Sequence, residues 1–154
     1  MALRSDLSAG KRGLRIMIRP SESGKPKRGI TPMPWQYSQR TGQLTRGTGP
    51  VVGQGYSGRG VGQNNPQMQN QVGMGPIPTG SYSIGAPFHH SHAGGYTMRL
   101  TPDVGTDTQH RSGFMIHGDS TAHPGQASDG CIVLDRRVRV LIWNSGDRQI
   151  NVVP

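Results

Sequence analysis

Phe114-Met115-Ile116-His117-Gly118-Asp119 is followed, across the polar loop 120–127, by Ser128-Asp129-Gly130-Cys131-Ile132-Val133-Leu134. Each stretch is a short apolar run bounded by glycine and turn-forming residues, the signature of a buried strand. The first run ends on a histidine and the second begins at the only cysteine in the chain. The link between them is rich in Gly, Pro and Ser and can fold back, so two sequence-close strands would bring the imidazole and the thiol to facing ends.

Outward from this pair the same grammar continues. Trp35-Gln36-Tyr37-Ser38, the turn Thr41-Gly42 and Gln43-Leu44-Thr45 read as a hairpin. Ser81–Ile84, launched by the rigid Gly75-Pro76-Ile77-Pro78-Thr79-Gly80 turn, Tyr96–Leu100 and Gln149–Val153 read as further strands. Gly53-Gln54-Gly55-Tyr56-Ser57-Gly58 matches a dinucleotide-binding fingerprint by letter, but it leads into glycines, asparagines and Pro66 instead of a helix, so the match fails on context. Residues 58–75 form a long polar loop of the kind that is functional or mobile, with a lid as one possibility. Asp135 to Asn144 is read as a short helix capped by Asp135 and ended near Gly146. The expectation is a mainly β domain, a sandwich of short strands with one or two short helices and long Gly-rich loops.

Composition agrees. The chain has 154 residues, 24 of them Gly and 12 Pro, with a formal net charge of +9. A large helical enzyme, a two-domain dinucleotide fold and a coiled coil are disfavoured, because no stretch offers enough apolar residues at helical spacing. Residues 1–34 hold all three lysines and several arginines among prolines, and the composition changes abruptly before Trp35. We therefore expect a basic, flexible leader over 1–34, with one short strand possible at Gly13–Arg19, and a catalytic domain over 35–154. The leader has no aromatic residue to stack on a base, so no specific nucleic-acid partner is expected. The sequence contains neither an uninterrupted apolar membrane span nor a Sec-type signal, so no membrane partner is expected.

A single thiol excludes an intramolecular disulfide framework. Cys131 is then either a small buried hydrophobe or a nucleophile, and a nucleophilic thiol needs a base. His117 suits that task because imidazole titrates near neutral pH. Gly130 permits an unusual backbone angle and a close approach of substrate, so amides beside Cys131 could face an oxyanion. The partner that orients His117 is the Gly118 carbonyl, the Asp119 carboxylate or the Ser128 hydroxyl. The six histidines, notably His89, His90 and His92, invite a metal reading, but no zinc pattern with paired cysteines accompanies them and no metal or other cofactor is expected.

His117-Gly118 followed by Ser128-x-Gly130-Cys131-Ile132 resembles the L,D-transpeptidase signature. Trp35-x-Tyr37-Ser38, Gly55-Tyr56-Ser57-Gly58, Asn64-Asn65-Pro66, Gly75-Pro76-Ile77-Pro78-x-Gly80-x-Tyr82, Arg111 and the His-Gly-Asp extend the resemblance, from Trp35 to Val153, to the subgroup delivered by type VI secretion systems. It implies a cysteine enzyme acting on peptidoglycan peptide stems: attack on the diaminopimelate carbonyl at its L-centre, loss of the terminal D-alanine, and a thioester resolved by water (carboxypeptidase) or by an amine (transpeptidase or exchange). It also implies an antibacterial toxin made in the cytoplasm and acting in the periplasm of a Gram-negative target, with a cognate immunity protein and a secretion-apparatus component as partners.

Two positions depart from the signature. Asp129 stands where the family usually has histidine, and Val133 where an arginine often follows the cysteine. Carboxylate binding therefore falls to Arg111, with Arg136 second and Tyr56 beside them as a substrate contact. Rival readings are a catalytically silent peptidoglycan-binding or adaptor module, a phage-encoded wall enzyme, and a sortase-like enzyme completed by Arg136, Arg137 or Arg139. A papain-like order is excluded because no histidine follows Cys131.

Overall fold

The structure, a computed structural model, describes residues 33–154. The basic leader, with its possible strand at Gly13–Arg19, lies outside the described residues except for Met33 and Pro34.

The described chain is mainly β, as expected. Ten strands run in order β1 (Trp35–Ser38), β2 (Gln43–Arg46), β3 (Val51–Gln54), β4 (Tyr56–Ser57), β5 (Gly80–Ile84), β6 (Phe88–His90), β7 (Gly94–Pro102), β8 (Met115–His117), β9 (Ile132–Val133) and β10 (Gln149–Val153), with one helix, α1 (Arg136–Asn144), before the last strand. Gly60–Gly62 and Pro66–Met68 are single 3-10 turns inside the long loop. The loop is internally bonded: the Arg59 amide donates to the Met74 carbonyl at 2.9 Å, and the Asn65 side chain accepts from the Gln67 amide. No α-helix follows directly on the glycine-rich Gly53–Gly58 segment, which instead holds the end of β3 and all of β4.

The predicted hairpin is β1–β2, with Tyr37 opposite Leu44. Burial alternates along β1, Trp35 and Tyr37 inward and Gln36 outward, as a half-buried strand requires. The last strand pairs with the first in parallel, Trp35 beside Ile150 and Tyr37 beside Val152. The sheet order is β3-β2-β1-β10-β5-β7-β8-β9-β4, with β6 hanging on β7. β7 is the hinge of this path: Leu100 to Pro102 pair with β5, whereas Met98 and Arg99 pair with β8. Residues of both halves, including Trp35, Tyr37, Leu44 and Leu100 on one and Ile116, Ile132 and Leu134 on the other, share one core. Each such aliphatic side chain stabilises the fold by about 1.5–3 kcal/mol through burial.

The path begins with β3 and ends with β4, and only Gly55 separates those two strands. A Cβ on Gly55 would collide with the Val133 carbonyl and Leu134, so glycine is what lets the chain cross from one flank of the sheet to the other. The expected helix is α1. The Asp135 carboxylate accepts from the Val138 amide at 2.9 Å, and Gly146, with φ of 85°, follows its end.

Candidate active site

β8 and β9 run in parallel, Ile116 beside Ile132 and His117 beside Val133. Side chains alternate across a strand, so Ile116 and Ile132 enter the core while Met115, His117, Cys131 and Val133 share the opposite face. The two sequence-predicted residues thus come together diagonally across this strand pair. His117 and Cys131 line one cavity of about 700 Å³, together with Gly118, Asp119, His90 and His123. Cys131 also lines a second cavity of about 380 Å³ with His110, Arg111 and Phe114, so the thiol stands between two concavities.

His117 is 5% exposed and its Nδ1 donates to the Gly118 carbonyl at 2.8 Å. A carbonyl can only accept, so the proton sits on Nδ1 and the lone pair of the neutral ring is on Nε2. Of the three orienting candidates, the Gly118 carbonyl is the one hydrogen-bonded to the ring. Burial pushes the His117 pKa below the ordinary imidazole value; the Gly118 bond opposes this, while the charge of Arg139 adds to it. An unprotonated imidazole in this tautomer can accept a proton at Nε2.

The Cys131 thiol donates to the Gly113 carbonyl at 3.7 Å. Burial first, then the Asp129 charge, push its pKa up to about 11 against the Met115 amide and the Arg111 guanidinium, which pull it down. The resting group is therefore a thiol and not a thiolate, and any nucleophilic use of it requires removal of the proton as the bond forms.

The other expected residues divide by role. Ser128 and Asp119 do not bond His117. The buried Ser128 hydroxyl donates to the Cys131 carbonyl at 2.6 Å and accepts from the Gly58 and Gly130 amides at 2.8 and 3.1 Å. That last bond engages the Gly130 amide, so Gly130 contributes its backbone angle, φ of 138°, and not an oxyanion donor. Asp119 accepts from the Tyr56 hydroxyl at 2.6 Å and from the Ser120 amide at 2.8 Å, and the Gly125 amide also donates to it. Burial alone would raise its pKa, but these bonds hold the carboxyl below its ordinary value. Tyr56 also accepts from the Ala127 amide at 2.9 Å; burial and the Asp119 bond push its pKa up to about 12. Tyr56 thus organises the loop between the two strands, and it lines neither cavity beside Cys131.

Arg111 corrects the expected carboxylate clamp. It is 7% exposed, and its Nη1 donates to the Gln69 and Pro76 carbonyls at 2.6 and 2.7 Å while Nη2 donates to those of Gly75 and Asp129 at 3.0 and 3.1 Å. All four terminal hydrogens are engaged, leaving no pair for a bidentate carboxylate. Arg136 stacks over Tyr96, 5.2 Å from the ring centroid, and lines neither cavity beside Cys131.

Two residues that the sequence offered only under other readings, Arg139 for a sortase-like site and His90 for a metal, stand beside His117. Arg139, 6% exposed, donates to the Leu134, Gly95 and Tyr96 carbonyls, and a Cβ on Gly118 would press on its Nη2. Its signal was an arginine between Val138 and Ile142 on the apolar face of α1. His90 accepts at Nδ1 from the His92 and Ala93 amides, both at 3.0 Å, which leaves its N–H on Nε2. Among the described residues no group of three or more His, Cys, Asp or Glu could hold a metal ion.

The crystal structure of Mycobacterium tuberculosis L,D-transpeptidase 1 is similar to this chain, with 20% identity and a TM-score of 0.45, over 80% of this chain and 62% of that one. The chain thus spans less than two thirds of that structure. No curated protein sequence matches. The family model of the Tlde1 domain matches residues 52–153, a stretch that contains β4, β8, β9 and both His117 and Cys131. The chain therefore belongs to the Tlde1 domain family, the L,D-transpeptidase-like type VI secretion effectors whose motifs its sequence resembles.

Proposed function

We propose that this chain is a cysteine enzyme that removes or exchanges the terminal D-alanine of peptidoglycan tetrapeptide stems. The observation that carries the reading is the shared cavity of Cys131 and His117, with the lone pair of His117 fixed on Nε2 by the Gly118 carbonyl.

In this reading Nε2 takes the thiol proton as sulfur attacks the diaminopimelate carbonyl at its L-centre. The C–S bond forms and the C–N bond to D-alanine breaks, and the imidazolium returns its proton to the departing amine. Water or a D-amino acid then attacks the thioester, His117 again accepting the proton, and restores the thiol. The cavities on the two sides of Cys131 suit one substrate for each half of the reaction. A high thiol pKa fits attack assisted by a general base, because little thiolate stands ready.

Family membership implies delivery into a target cell, and we place the action in the target's periplasm, where peptidoglycan stems are reached. No helix among the described residues is long and apolar enough to cross a membrane. A cognate immunity protein and a secretion-apparatus component complete the proposal.

The test is mass spectrometry of tetrapeptide muropeptides incubated with the chain, with and without a free D-amino acid, beside Cys131→Ala. Loss or replacement of the terminal alanine that disappears with the cysteine supports the reading. An unchanged product profile with folded protein and reduced Cys131 selects the catalytically silent binding module instead.

A further inference from the structure

Arg111 is tied into the fold at unusual expense. Gln109 and His110, immediately before it, both have left-handed backbone angles, φ of 58° and 61°, which cost non-glycine residues energy and occur where surrounding structure over-determines them. The guanidinium they deliver is buried, with Phe114 packed 5.6 Å from its centre. Its four bonds join three separate stretches: Gln69 in the long loop, the Gly75-Pro76 turn, and Asp129, two residues before the thiol.

The contact at the next residue is closer still. Gly130 has φ of 138°, and a Cβ there would collide with Nη2 of Arg111, so the turn that carries Cys131 is moulded directly on the guanidinium. Arg111 and Cys131 then line the same cavity of about 380 Å³. Arginine keeps its charge when buried, and its planar fork fixes several acceptors at once, which lysine's point charge cannot do. The four carbonyls satisfy its hydrogen-bond donors but carry no formal charge. Among the described residues Arg111 forms no ion pair with a carboxylate: the Asp129 side chain is 75% exposed and faces Arg59 at 3.3 Å.

We propose that Arg111 is a positioning residue which sets the reactivity of Cys131, holding the 129–131 turn with its fork and placing an unneutralised positive charge in the cavity that the thiol lines. The catalytic use of that sulfur rests on the function proposed above, but the effect on the thiol does not. The direction of the charge effect agrees: Arg111 draws the Cys131 pKa down where burial and Asp129 raise it. The substrate carboxylate is then left to other donors, and Arg111 acts on the nucleophile.

Cys131 is the only thiol in the chain, so alkylation by iodoacetamide reads it alone and needs no substrate. The alkylation rate is followed against pH for the full-length protein, Arg111→Gln and Arg111→Lys, with folding checked by near-ultraviolet circular dichroism. In Arg111→Gln the midpoint moves up by about one pH unit and the rate at neutral pH falls about tenfold; Arg111→Lys falls between Gln and wild type. A folded Gln variant with the wild-type midpoint overturns the proposal. Should the Gln variant not fold, Lys decides: wild-type alkylation at every pH overturns it, slower alkylation supports it. Stem cleavage is measured on the same proteins, so a wild type that alkylates as expected but leaves muropeptides intact defeats the enzymatic reading and not this one.

Discussion

The hydroxyl of Ser128 donates to the carbonyl of Cys131 at 2.6 Å while accepting from the amides of Gly58 and Gly130. One buried side chain thereby closes the turn before the thiol and fastens it to the end of β4. Ser128→Ala strands two amides and a carbonyl, at about 1–3 kcal/mol. Urea denaturation should show that loss, together with a fall in turnover; an unchanged midpoint would mean that water or a rearranged turn replaces the hydroxyl.

Because burial holds the His117 pKa below the ordinary imidazole value of 6.5, the acid limb of kcat/KM for stem cleavage should lie below that pH. The linkage has the same sense. Between the folded and unfolded pKa values the unfolded chain binds more protons, so the contribution to stability is intact above pH 6.5 and declines as pH falls below it. His117→Gln should lower turnover by about 10²–10⁴-fold and flatten stability against pH in that window. An acid limb above pH 6.5 would contradict the assignment.

Arg139 places a cation near this imidazole. Arg139→Gln should therefore move the acid limb of the rate profile upward, while leaving the Leu134, Gly95 and Tyr96 carbonyls short of donors at about 1–3 kcal/mol. A pH titration of cleavage beside a thermal melt separates the two effects, and an unmoved limb in a folded variant would reduce Arg139 to a scaffold.

Tyr56→Phe removes the donor to Asp119 and the acceptor for the Ala127 amide. The loop 119–127 should then open more readily, seen as faster limited proteolysis within it and a stability loss of about 1–2 kcal/mol. Cleavage at the wild-type rate would show that the remaining bonds of Asp119 to Ser120 and Gly125 suffice.

The elements that the sequence disclosed are those whose signal is local. Trp35 and Tyr37 alternate with polar residues, and Asp135 announces α1 by its own capping chemistry. β6 was not legible, because Phe88-His89-His90 has one apolar residue and becomes a strand only through pairing with β7. The ends of β7 were missed for the same reason: Gly94, Gly95 and Pro102 are poor strand formers that pairing retains. At the site, Cys131 and His117 were visible as an apolar-flanked pair, and the choice of Gly118 was not, since it depends on ring rotation. Arg111 looked like a ligand because its partners are carbonyls 18 to 42 positions away, which only the folded chain brings together.

The single residue between β3 and β4 has a mechanical meaning. An open sheet presents two flanks of unpaired amides and carbonyls, from which it can fray or recruit another chain. Here both flanks are halves of one bent strand, the first bonded to β2 and the second to β9. Neither side can peel alone: loosening the hairpin flank pulls through Gly55 on the strand that backs Ile132 and Val133. Gly55→Ala, whose methyl group would meet the Val133 carbonyl, should cost about 3 kcal/mol and lower both the melting temperature and the cooperativity of unfolding. Strain at Gly55, far from the imidazole in sequence, would thus reach the turn that carries the thiol, so the join of the two flanks and the footing of Cys131 fail as one.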